Sequence, residues 1–160
     1  DTPGSMSWNV NLPRMVTWGL FRTKSGRQFY FFNTHFPHRD EDDTARQECA
    51  RLIAMRIEKL AKNIPLILTG DFNSDEGSVP YGILVKDLQD ARKTATSQAG
   101  PTGTTHGFRG KPGSHRIDWI LYRGPWNVET FETSTYNQEG RFPSDHFPVI
   151  AHLAWPSPSK

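Results

Sequence analysis

Four stretches set metal-ligating or proton-carrying groups beside apolar runs: Asn33-Thr34-His35, Gly70-Asp71-Phe72-Asn73, Arg116-Ile117-Asp118-Trp119-Ile120 and Ser144-Asp145-His146-Phe147-Pro148-Val149. In the last, an acid and a histidine precede the apolar run Phe147 to Leu153. That reads as a strand entrance, where a packed core fixes a ligand or proton carrier. Asp71 and Asn73 are two apart, so on an extended chain they share a side while Phe72 turns into the core. A carboxylate and an amide so placed suit a metal-bound water and a charge-rich transition state; an Asx-turn is the competing reading. Asp118 lies among large apolar groups, where a carboxylate needs a partner. Either a histidine, whose tautomer it would fix, or Arg116 on the same face fills that role. His35 ends an aromatic run, positioned to contact phosphate or protonate a leaving oxygen, or simply to face solvent.

The elements that must position these groups follow from periodicity and punctuation. Asp1 to Pro13 is rich in Gly, Pro, Ser and Asn and reads as irregular. Arg14 to Arg22 and Gln28 to Thr34 read as a hairpin around Ser25-Gly26-Arg27. The acids of His38 to Asp43 open a helix to Lys62 whose stripe is Cys49, Leu52, Ile53, Ile57 and Leu60. Ile64 to Thr69 reads as a buried strand, and Pro80 to Val85 as a short helix with proline at its start. Asp90 to Ser114 reads as a long loop, His115 to Tyr122 and Trp126 to Thr133 as strands, and Tyr136 to Ser144 as a polar loop. The tail, Pro156 to Lys160, reads as unstructured. Strand–helix–strand over Gln28 to Thr69 indicates α/β layering in one domain.

Four strands thus deliver His35, Asp71 with Asn73, Asp118, and Asp145 with His146 toward one edge. This oxygen-rich set favours Mg²⁺, Mn²⁺ or Ca²⁺. The single Cys49 excludes an internal disulfide framework and a cysteine-based zinc site. Ser144, Asp145 and His146 are adjacent, so on a strand they face opposite sides and form no relay; no Gly-x-Ser-x-Gly elbow is present. A net charge of +2 and a mean hydropathy of −0.64 describe a water-compatible surface with no strong basic field. No apolar run reaches the ~20 residues of a membrane span.

In order and spacing, the four motifs resemble those of the endonuclease/exonuclease/phosphatase superfamily, over about Trp8 to Trp155. The resemblance implies a DNase I-like α/β (α+β) fold, a two-sheet β-sandwich flanked by helices. It also implies divalent-metal-dependent hydrolysis of phosphodiesters or phosphomonoesters by in-line attack of an activated water, usually with Mg²⁺. By that resemblance Asp145 and Asp71 belong to the metal region. His146 contacts the scissile phosphate or acts as base, oriented by Asp118. Asp71 positions or deprotonates the water, Asn73 holds the water and the transition state, and His35 binds phosphate or serves as acid. Arg14 resembles a substrate-contacting arginine. The implied substrates are nucleic acids, nucleotides, phosphoinositides or other phospholipid head groups.

Family members run to about 250 residues or more as one domain, with an early Asn and a metal-binding Glu that have no counterpart before Trp8. Residues 1–160 are therefore expected to be the C-terminal part of such a domain, present only in part. The expectation adds an exposed apolar face or strand edge, completed by a second copy or by an N-terminal half. The alternative function is a catalytically incomplete fragment that binds or assembles.

Overall fold

The computed structural model describes residues 4–156; Asp1 to Pro3, and all of the expected tail but Pro156, lie outside the described residues. Strands β1 (Val16–Arg22) and β2 (Gln28–His35) form the expected hairpin. Gly26, at φ 85°, supplies the left-handed turn position between them. A 3₁₀ turn (Asp40–Asp42) leads into α1 (Asp43–Ala61), which carries the chain across to β3 (Leu66–Asp71), parallel to β2. Then come α2 (Val79–Leu84), β4 (Gln89–Asp90), α3 (Ala91–Thr94), β5 (Ser97–Ala99), β6 (Asp118–Arg123), β7 (Asn127–Thr133) and β8 (Val149–Ala154). One sheet has the order β1-β2-β3-β6-β4 and the other β5-β7-β8.

Alternation along the central strands feeds two cores. Phe32, Leu66, Leu68, Trp119 and Leu121 pack with Ile53 and Ile57 of α1 and Leu84 of α2. From the opposite face, Ile120 and Tyr122 pack with Trp126, Val128 and Phe131 beside Val149, Ala151 and Leu153. The second core holds the two sheets together.

Several expectations need correction. The buried face of α1 is Ala45, Ala50, Ile53, Ile57 and Ala61, together with Arg46, while Leu52 is 37% exposed and Cys49 and Leu60 are only partly buried. Small alanines take the closest contact, so a stripe drawn through the large apolar residues is rotated away from the true one. The segment read as a loop from Asp90 contains α3 and β5 and part of β4; Asp90 caps α3, accepting from Arg92 N–H at 2.9 Å. The last strand starts at Val149 rather than Phe147. Phe147 N–H donates to Thr104 O at 2.8 Å, and Pro148 has no N–H for a ladder.

Candidate active site

His35 ends β2, Asp71 ends β3, and Asp118 begins the antiparallel β6. Register pairs His35 with Asp71 and Asp71 with Asp118. The three therefore form one row across one end of the sheet, on a common face. The row depends on close approach of β2 and β3 at Gly70, where a Cβ would lie 2.3 Å from Thr34 O. Phe72 is fully buried beneath it, stacked on Trp119 at 4.3 Å and edge-on to Phe36 at 5.0 Å.

His146 arrives from the segment before β8. Its Nδ1 lies 2.9 Å from Asp118 Oδ2 and 4.0 Å from Asp71 Oδ2, and His35 Nε2 lies 3.2 Å from that same Asp71 oxygen. Two carboxylates and two imidazoles thus form a continuous chain. Asp71 Oδ1 is occupied separately, accepting from Asn73 N–H at 2.9 Å.

The electrostatics follow from this crowding. The Asp118 hydrogen bond, more than any other cause, raises the His146 pKa to about 8, against an opposing cost of burial. Burial also pushes the Asp71 carboxyl above the ordinary carboxylate value; Asp118 adds to this, while the Asn73 N–H and the histidines oppose it. For His35 burial lowers the pKa, helped by Arg14 and His146 and opposed by Asp71 and Asp118.

Not every candidate joins the row. Asn73 leaves extended geometry at φ 44°, a conformation Asn tolerates, and its Nδ2 donates to Phe36 O at 3.0 Å. It closes the Asx-turn while remaining next to Asp71. Arg14 lies two residues before β1, with Nη2 3.1 Å from His38 Nδ1. Arg116 does not pair with Asp118: its almost fully buried guanidinium bonds Asp90 Oδ2 and, at 2.7 Å, Glu76 Oε2. Asp145 is exposed; its backbone O accepts from His106 and Gly107 N–H, and its Oδ1 accepts from Ser144 Oγ at 3.3 Å. Ser144 Oγ also accepts the His146 backbone N–H at 3.1 Å, a turn contact rather than a relay to the ring.

The described residues whose ligand atoms gather within 4.8 Å of one another are Asp71, Asp118 and His146. This differs from the expected pair of Asp145 and Asp71. A half-buried carboxylate beside a second carboxylate fits a hard divalent cation, which would relieve the cost of ionising Asp71.

Sequence reasoning missed Thr104. Fully buried, it accepts the N–H groups of Ile117 (3.2 Å) and Asp118 (3.3 Å) on Oγ1, and its carbonyl takes Phe147 N–H. One threonine therefore holds the approaches to both Asp118 and His146. No signal in the threonine- and glycine-rich stretch around it distinguishes it from its neighbours.

Two sheets, with α1 and α2 on one face and an acid–imidazole row at the strand ends, define a two-sheet α/β architecture. Residues 5–146 match the model of the Endonuclease/Exonuclease/phosphatase family, and the chain belongs to that family. Among solved structures it is similar to a mannosyl-6-phosphatase of Bacteroides thetaiotaomicron, at 34% identity and TM-score 0.85, over 94% of this chain and 61% of that one. A functionally unknown conserved protein of Enterococcus faecalis is similar at 32% identity and TM-score 0.86, over 95% and 60%. The human nocturnin catalytic domain with bound sulfate shares the fold at 24% identity and TM-score 0.71, over 89% and 53%. The fold is DNase I-like, and the chain spans about 60% of the length of the first two relatives. No curated protein matches the sequence.

Proposed function

We propose that this chain carries the hydrolytic half-site of a divalent-metal-dependent phosphoesterase, and that the chain from His35 through Asp71 and His146 to Asp118 is its working part. The observation that carries this reading is that one Asp71 oxygen faces both histidines while the other is held by Asn73 N–H. A carboxylate with one fixed and one available oxygen is suited to orienting and deprotonating a water. A divalent cation held by the Asp71 and Asp118 carboxylates would supply Lewis-acid stabilisation of phosphoryl charge. With its pKa raised to about 8, His146 is protonated at neutral pH and contacts the phosphoryl group as a cation; Asp71 then takes the role of base. Asp118 holds the His146 ring through Nδ1, Asn73 fixes Asp71, and His35 donates to phosphate or to the leaving oxygen. Arg14 binds the substrate from the β1 side, and Asp145 strengthens the positive charge of His146 from outside the row.

The mannosyl-6-phosphatase relative makes sugar phosphomonoesters the first substrate class to test. Phosphate release from mannose 6-phosphate and p-nitrophenyl phosphate, with Mg²⁺ and then with excess chelator, is the experiment. Turnover that requires the cation supports the reading; undiminished turnover in chelator contradicts it.

One observation favours a second reading, an assembly or binding module. Met15, Trp18, Leu20 and Phe21 on and beside the edge strand β1 are exposed, and edge strands with apolar side chains attract partners. No helix among the described residues is long and apolar enough to cross a membrane.

A further inference from the structure

The chain just after His35, residues 36–39, is pinned to the elements around it. Phe36 N–H donates to Asp71 O at 2.9 Å, and Asn73 Nδ2 donates to Phe36 O at 3.0 Å. Arg46, a buried residue of α1, sends Nη1 to Pro37 O at 3.2 Å and to Arg39 O at 2.7 Å. The carbonyls on either side of His38 are thus held by one buried guanidinium. The exposed His38 side chain therefore starts from a fixed backbone, two residues beyond the row.

That side chain meets Arg14. Val16, the first residue of β1, pairs with Thr34, so Arg14, two residues earlier, comes alongside the chain that follows His35. Arg14 Nη2 lies 3.1 Å from His38 Nδ1. A guanidinium has no acceptor, so Nδ1 accepts, and the ring is the neutral form with its proton on Nε2. The neighbouring cations Arg39 and Arg46 are paired with acids: Arg39 with Glu41 and Asp42, and Arg46 with Asp43. Among the described residues Arg14 has no carboxylate partner. Its charge also reaches the row: behind burial, and against the pull of Asp71, Arg14 helps lower the His35 pKa.

We propose that His38 is a positioning residue, which holds the Arg14 guanidinium beside His35 without neutralising it, so that Arg14 meets an oxygen of the substrate phosphoryl group. A carboxylate in place of the imidazole would orient Arg14 equally well but would cancel the charge that an oxyanion needs. A neutral acceptor supplies orientation alone. Because the guanidinium is planar, fixing one of its nitrogens orients the rest of the fork. The inference rests on the phosphoesterase reading and deepens it by assigning a residue that makes Arg14 selective for phosphoryl oxygen.

The test is titration of inorganic phosphate into the protein in Mg²⁺ buffer, following the His35 imidazole resonances by NMR. Wild type should shift to saturation, and Arg14→Ala should bind at least about tenfold more weakly. His38→Ala should bind about threefold to tenfold more weakly, and His38→Asn, which restores a neutral acceptor, should recover most of that loss. In the Arg14→Ala background His38→Ala should have no further effect. Unmoved His35 resonances in wild type, additive losses in the double variant, or a His38→Asn variant as weak as His38→Ala would each overturn the assignment. Turnover of p-nitrophenyl phosphate, measured separately, keeps the two readings apart. An active protein in which the two residues act independently loses only the role of His38. A protein without turnover that shows the coupling loses only the catalytic reading.

Discussion

Asp71 divides its two oxygens between structure and chemistry, and Asp118 commits one of its own to His146. The second contact has a measurable consequence. His146 is raised to about 8 chiefly by the Asp118 hydrogen bond, so Asp118→Asn should bring its pKa back toward 6.5, read by NMR titration of the metal-free protein. An unshifted pKa would remove Asp118 from its orienting role. The same linkage acts on stability. A folded-state pKa above the unfolded value stabilises at pH below about 6.5, and the contribution is lost as pH rises through about 8. Wild type should therefore hold an advantage over Asp118→Asn of about 2 kcal/mol near pH 6 that shrinks toward pH 9 in denaturant melts. A constant difference across that range would contradict it.

The elements that hold this row were partly legible in the sequence. The aromatic run before His35, the apolar run before Asp71 and the run after Asp118 each read as strands because they are short, largely apolar runs bounded by turn or polar residues. Their pairing into one row depends on register, which no local pattern carries. The Asp118–His146 partnership was open against Arg116 because the competing acids, Glu76 and Asp90, are distant in sequence from Arg116. The packing of the 103–113 segment against His146 was invisible, its residues being ordinary loop types until tertiary hydrogen bonds hold them there. Two substitutions test the support. Phe72→Ala removes a fully buried ring between Trp119 and Phe36 and should cost about 3–5 kcal/mol in chemical denaturation. Arg116→Met leaves the buried Asp90 carboxylate without its cation and should cost about 3–5 kcal/mol. Adding Asp90→Asn should recover part of that loss; no recovery would mean that Asp90 is not the group left uncompensated.

At the scale of the whole molecule, the row lies at one end of a sheet whose outer strand, β1, carries exposed Trp18, Leu20 and Phe21. This surface should bind a hydrophobic dye and drive self-association in gel filtration, with Trp18→Lys and Phe21→Lys together reducing both. A dye-silent monomer would rule out the assembly reading. The catalytic reading is tested most directly by phosphate release in Mg²⁺ buffer from His146→Ala beside His152→Ala, the latter an exposed histidine of β8 remote in register from the row. The account predicts a fall of about 10²–10⁴-fold for His146→Ala and wild-type turnover for His152→Ala. Equal rates for the two variants would contradict it.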